Sequence, residues 1–286
     1  MAELAPLLKS IVTAAQLVIK FISIWQRQEI AKIAKKENIK DLFGFIEEAD
    51  ISTGNIPPDD VDSLRFFRDW FCQYFSKDRR IEYHKQLAPP DISKHLCSIG
   101  GPVDHLYTRY TMGYDKKAQS WAQILPYYFP LKDAEDRQID ILREYKGFQW
   151  RELNWYIADR KGKPVFVPAA DKEGVLNKDY FMLIVAPNTF TQEAFYRGQK
   201  HMIIACAHGL AQLAVREILD NDEILKEIKE RSKGSEYFQA IVEVQAERLE
   251  IGYVPILKSR KSIPRIVVEP IELGAFKNVE EFREWI

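Results

Sequence analysis

The sequence predicts an α/β protein: a Rossmann-like, mostly parallel sheet with antiparallel strands at its C-terminal end, preceded by a helical region. Three observations carry this reading. Continuous apolar runs at 95–99, 179–186 and 201–207 each stop at turn formers, namely Gly100-Gly101-Pro102, Pro187-Asn188-Thr189 and His208-Gly209. That is the texture of short strands covered on both faces. Helix-like sequence from 210 to 219 follows the third run, and strands alternating with helices define the class. Alternating, β-rich segments at 237–244, 249–257 and 265–269 come last and read as antiparallel edge strands, joined in part by the basic turn 258–261. The expected division is 1–90 for the helical region and 91–286 for the α/β domain.

The first element is a helix. Leu4, Leu8, Ile11, Ala15, Val18, Ile22 and Trp25 step by fours and threes along one face, which Leu7, Ala14 and Phe21 widen. Lys9, Gln16 and Lys20 interrupt the segment, so it lacks the roughly 18–20 unbroken apolar residues of a bilayer span. No compact apolar run ends in a small-residue cleavage site, as a signal peptide would. Such a stripe has to be covered. It packs on the chain's own core, meets a second copy or a partner protein, or lies on a membrane surface beside Lys32, Lys35, Lys36 and Lys40, the least favoured of the three. Charge then reverses: residues 1–40 hold seven Lys/Arg and three Asp/Glu, whereas 41–64 hold seven Asp/Glu and no base. Within the acidic stretch, 54–60 is dense in turn formers and reads as a linker. A second helix is expected over 60–76, with Asp59 or Asp60 as N-cap and Leu64, Phe67, Phe71 and Tyr74 on one apolar face beside Phe66 and Trp70. Further on, 132–146 alternates charges around Ile139 and Leu142 and reads as an amphipathic helix.

Composition removes several function classes. A net charge of −1 argues against a surface that coats nucleic acid. The three cysteines, Cys72, Cys97 and Cys206, form no CxxC pair, which points away from a disulfide framework or a zinc ribbon and towards a reducing cytoplasm. The five histidines show no HxH or HxxxH spacing, so no metal site is expected. Neither GxGxxG nor GxxxxGK[ST] occurs.

In α/β sheets ligands bind outside the carboxyl ends of the strands, so the three turns are the places to look. Gly100, Gly101 and Pro102 form either a cradle for phosphate or ribose or merely a tight turn. Downstream, Asp104, His105, Tyr107, Thr108 and Arg109 crowd together, and Arg109 is either an anion clamp or a solvated loop arginine. In the second turn, Asn188 and Thr189 precede a short helix, and Thr189-x-x-Gln192 has capping-box spacing. Glu193, in that helix's first turn, is a nucleophile or general base if burial tunes it, or else a complement to the helix dipole. In the third turn, His208 is an acid–base or ribose-contacting group or a structural one, and Gly209 opens the next helix. Aromatic residues between 107 and 156 stack on a base or fill a core.

A strand ending in Gly100-Gly101-Pro102, a later strand leading to Pro187-x-Thr189-x-x-x-Glu193, and a further strand at His201 together resemble the nucleoside 2-deoxyribosyltransferase-like superfamily of Rossmann-type domains. The resemblance covers residues 94–210. It implies a nucleotide or nucleoside ligand and cleavage of an N-glycosidic bond, of a nucleoside or of NAD, with Glu193 attacking or stabilising the anomeric carbon. It also implies, for some relatives, a role in bacterial defence. This chain has Asn188 where the family carries glycine before the threonine, and Glu193-Ala194-Phe195 where it carries Glu-Leu-Gly. Three classes of function follow: an N-glycosidase or ribosyltransferase, a nucleotide sensor without turnover, and an oligomerising assembly protein. No resident cofactor is expected; NAD enters only as ligand or substrate.

Overall fold

The computed structural model describes residues 4–53, 69–75, 83–84, 90–102, 105–115, 120–121, 125–129, 140–145, 148–153, 156–170, 176–207, 209–249, 252–256 and 265–276. The chain opens with α1 (Leu4–Phe43), and 69–74 form α2. Five further helices follow: α3 (Leu106–Thr111), α4 (Gln192–Tyr196), α5 (Gly209–Leu213), α6 (Val215–Leu219) and α7 (Asp222–Arg231). The main sheet contains β1 (Asp50–Thr53), β2 (Tyr83–His84), β3 (Leu96–Ile99), β4 (Ala169–Ala170), β5 (Leu176–Pro187), β6 (Lys200–Cys206), β7 (Phe238–Leu249), β8 (Gly252–Ile256) and β9 (Ile266–Pro270). Its order is β8-β7-β5-β6-β3-β1-β2, with β4 beside β5 and β9 beside β7.

The fold is therefore α/β with a mixed sheet and an N-terminal helix. Strands β6, β3, β1 and β2 run parallel to one another. Strands β5, β7, β8 and β9 pair antiparallel, and β5 is also antiparallel to β6. The expectation of a mostly parallel sheet is corrected at β5. A parallel return needs a crossover that carries the chain back to the starting end, usually a full helix. The connection 188–199 holds only the single turn and a half of α4, so the chain re-enters the sheet at the end it left.

The antiparallel C-terminal strands are present as expected, but β7 is central. It pairs with β5 on one side and shares its other side between β8 and β9. The segment 140–145 is a strand, not part of a helix: it pairs with Phe148–Leu153, Tyr145 facing Phe148 across a two-residue Lys-Gly connection. Residues 54–60, 61–68 and 258–261, where a linker, the first part of the second helix and a basic turn were expected, lie outside the described residues.

Two cores flank the sheet. On one face Ile51, Cys97, Phe181, Leu183, Val185, Met202, Ile204, Ala240 and Val242 meet the end of α1 (Ile39, Leu42, Phe43), α2 (Trp70, Phe71, Tyr74) and α5 to α7. Alternation sends Met182, Ile184, Ile203, Ala205 and Ile241 to the other face, under Leu125, Phe129, Ile157, Phe166 and Phe276. Elements on the N-terminal side of residue 90 pack into this body. β1 hydrogen-bonds along β3, and Trp70 is buried against the body with its indole N–H donating to the Leu219 carbonyl at 3.1 Å. Trp70→Ala is expected to cost roughly 3–5 kcal/mol of unfolding free energy, the scale of an aromatic truncation in a core. Urea denaturation followed by circular dichroism measures it; a change below about 1 kcal/mol would mean that α2 does not belong to this core.

Candidate functional site

The carboxyl ends of β1, β3 and β6 lie side by side, and the Gly100-Gly101-Pro102 turn leaves the sheet there. Gly100 has φ 141°, which only glycine adopts freely, and its N–H donates to the Ile204 carbonyl of β6 at 2.9 Å. A Cβ added at Gly101 would lie 3.8 Å from the Cys206 carbonyl oxygen, so the turn rests against the end of β6. From there the chain enters α5 at Gly209. Asp179 of β5, fully buried, accepts the Ala211 N–H at 2.7 Å and the Tyr180 N–H at 2.8 Å, and so anchors the start of α5. Gly100, Gly101 and Pro102 therefore lie beside the end of β6, from which the chain leads on to Gly209. His208 and Asp104 lie outside the described residues.

Thr108 and Arg109 brace the turn from within. Thr108 Oγ1 donates to the Gly100 carbonyl at 3.1 Å, and Arg109 Nε donates to the Pro102 carbonyl at 2.6 Å. The His105 N–H donates to the Gly101 carbonyl at 3.0 Å. Three carbonyls of the turn are thus held by α3 and its cap, which fixes the turn's shape.

Asn188, Thr189 and Glu193 are elsewhere. Because β5 is antiparallel to β6, its end abuts the beginning of β6: Pro187 pairs with Lys200, and the Asn188 N–H donates to the Gln199 carbonyl. The Gly100 N–H is held by Ile204, five residues further along β6. At about 3.3 Å per residue the two turns are roughly 17 Å apart, at opposite ends of the sheet. The expectation of one shared crevice is corrected accordingly. Asn188 is fully buried, and its carboxamide donates to the Ile92 and Lys94 carbonyls at 3.0 and 2.6 Å and accepts the Phe190 N–H at 3.0 Å. It clamps the β5–β6 connection to the segment entering β3. Thr189 is buried too. The N-cap of α4 is Thr191, whose hydroxyl accepts the Ala194 N–H at 3.0 Å, so the capping pair is displaced two residues from Thr189 and Gln192. Glu193 is exposed and pairs with Arg197 at 2.9 Å one helical turn on. An exposed carboxylate in that position suits the helix dipole.

The most unusual chemistry lies beneath α3, where a buried polar cluster links four elements. His201 of β6 is fully buried between Ser98 Oγ, 2.7 Å from its Nε2, and Thr111 Oγ1, 2.8 Å from its Nδ1. His105, also fully buried, accepts the Thr108 N–H on Nδ1 at 3.2 Å, so its proton sits on Nε2, facing Ser52 Oγ of β1 at 3.2 Å. Phe190 seals the side, stacked on Tyr110 at 4.6 Å and edge-on to His201 at 5.5 Å. The Ser98–His201 contact has the length of a nucleophile–base pair, but both side chains are walled off from solvent. Burial pushes His105 down to about 4, against the pull of the Ser52 bond. Burial, with His105 nearby, pushes His201 down to about 3. Both are neutral at pH 7. Sequence spacing gave no sign of this pair, which only the parallel register of β1, β3 and β6 assembles.

Among the described residues no three His, Cys, Asp or Glu side chains group as metal ligands, and no helix is long and apolar enough to cross a membrane. Comparison with known proteins finds no matching family model, no matching curated protein and no matching solved structure.

Since both histidines titrate below their ordinary 6.5 in the folded state, the unfolded chain takes up protons first as the pH falls. Their contribution to stability is whole above pH 6.5 and drains towards pH 4. Two groups over about two pH units amount to on the order of 5 kcal/mol. Urea midpoints at pH 7 and 4.5 should therefore converge in a His105→Gln/His201→Gln variant relative to the parent. Equal acid sensitivity in both proteins would show that the histidines do not carry it.

Proposed function

We propose that this chain is a nucleotide- or nucleoside-binding protein that uses the parallel half of its sheet, β6-β3-β1-β2, in Rossmann-like fashion. The ligand sits at the carboxyl ends of these strands, against Gly100, Gly101, Pro102 and Gly209. One observation carries this reading: two glycine-bearing connections, from β3 and from β6, emerge side by side at the end of adjacent parallel strands, where open α/β sheets take their ligands. Glycine there lets a phosphate or ribose approach the backbone closely. Thr108 and Arg109 keep that surface in shape from the protein side. NAD and free nucleosides fall within the same ligand class.

Binding without turnover is the favoured form of this function. N-glycosidic cleavage in the manner of the deoxyribosyltransferase-like enzymes needs a carboxylate at the ribose, and Glu193 belongs to the helix that follows the Asn188 turn at the other end of β6, ion-paired in the open.

The test is calorimetric titration of the full chain with nucleoside mono-, di- and triphosphates, nucleosides and NAD, followed by chromatography for released base. At least one should bind with no base released. Gly101→Val, at a position whose backbone accepts a side chain, should weaken that binding tenfold or more, whereas Glu193→Gln should leave it unchanged. Base release that disappears in Glu193→Gln would restore the hydrolase reading, and the absence of any binding would overturn the proposal.

A further inference from the structure

The observation is a helix far longer than its seat. α1 has 40 residues, about 60 Å. Among the described side chains, those that hold it to the body lie in its last third: Lys35 pairs with Asp220, Asn38 bonds Asp222 at 3.2 Å, and Ile39, Leu42 and Phe43 enter the core. Upstream, large apolar side chains face solvent, with Ile22, Trp25, Ile30 and Ile33 46, 56, 66 and 58% exposed. A helix with an uncovered apolar face gains little from propensity alone; it is stabilised by packing that face.

The spacing of the stripe says what packs there. Leu4, Leu8, Ile11, Ala15, Val18, Ile22 and Trp25 alternate steps of four and three without a break over three heptads. On a straight helix such a stripe drifts by about 20° per heptad. A flat membrane surface cannot follow that drift, but a helix wound left-handedly around the first one does. The steps of three fix the register: Leu8, Ala15 and Ile22 take the a positions, and Leu4, Ile11, Val18 and Trp25 take d. Branched Ile11 and Val18 at d, with Leu8 at a, disfavour a two-stranded parallel coil and suit three or four strands. The flanking e and g positions, including Leu7, Val12, Ile19 and Phe21, are apolar where a two-stranded coil carries charge. The basic residues Lys9, Lys20 and Arg27 take b and f positions, outside the stripe, so bundling brings no like charges together.

The area is sufficient as well. A buried Leu or Ile removes roughly 60–120 Å² from water, so the a and d positions supply about 400–800 Å² per helix. The e and g residues bring the total to about the 800 Å² per partner of a stable interface.

We propose that residues 4–25 of α1 bundle with the same segment of other copies of this chain, in a left-handed assembly of three or more helices. Size-exclusion chromatography with light scattering on the full chain should return the mass of at least three protomers. Ile11→Lys/Val18→Lys, which charges two d positions, should return a monomer with the melting temperature of the α/β body retained. Lys20→Glu, at f, should leave the mass unchanged. A monomeric parent protein, or an assembly indifferent to Ile11→Lys/Val18→Lys, would overturn the proposal. So would a chain that is monomeric alone and floats with phosphatidylserine vesicles in a manner weakened by Lys20→Glu, which would assign the stripe to a membrane surface.

Discussion

Strand β6 carries the constraint on which the rest of the sheet depends. It is antiparallel to β5 on one side and parallel to β3 on the other, and so joins two halves of different character. The antiparallel side follows from the short 188–199 connection, and Asn188 holds that connection with three hydrogen bonds from one buried carboxamide. An unsatisfied buried amide would be costly, and here its partners are the carbonyls of the chain entering β3. The residue that reverses the chain at the end of β5 therefore also fixes where β3 begins. The parallel half inherits its position, and with it the end of the sheet at which the connections bearing Gly100 and Gly209 leave β3 and β6.

The same register builds the histidine cluster. Ser52 and Ser98 are paired neighbours on β1 and β3, and Ser98 is opposite Ile203, two residues from His201 on the same face. Small hydroxyl side chains leave room for the two imidazoles that α3 and β6 bring in, and the hydroxyls satisfy ring nitrogens that burial would otherwise strand. Hydrophobic contact alone would let a six-residue helix slide on the sheet. Directional bonds to His105, Thr108 and Thr111 hold it in place, and α3 in turn holds the carbonyls of the glycine turn. The shape of the candidate ligand surface thus rests on a polar core that faces away from it.

What was legible in the sequence follows a physical rule. Strands β3, β5 and β6 announced themselves because continuous apolar runs have few other uses, and β7 to β9 because alternation is a local signal. Strand direction is not local: nothing in the run 179–186 says which way β5 points relative to β6, and the misplaced shared crevice came from that single unknown. β1 escaped because Asp50-Ile51-Ser52-Thr53 offers one large apolar residue, its serine being spent on a buried histidine. At 140–153 the Lys-Gly pair between Tyr145 and Phe148 was the available hairpin signal, outweighed by a charge pattern that suited a helix. The glycine turn was found because glycine's backbone freedom can be recognised without neighbours. Asn188 and Thr189 resemble ligand contacts in sequence for the same reason that they serve the fold: both are compact and polar at a strand end.

The two ends of the sheet also separate the two surfaces. A cavity of about 790 Å³ between α1 and α7 is lined by Asn38, Asp41, Lys229 and Lys200. Lys200 is the first residue of β6, at the end opposite Gly100, where its ammonium lies over the Phe45 and Tyr237 rings. The seat of α1 therefore reaches the end of the sheet where β6 begins and β5 finishes, away from the glycine turn where β6 ends. Anchoring is electrostatic at the rim and apolar inside: Lys35 with Asp220 and Lys229 with Asp41 flank the buried Ile39, Leu42 and Phe43. Rim pairs of this kind are worth little individually, so the three buried side chains set how firmly the helix is held.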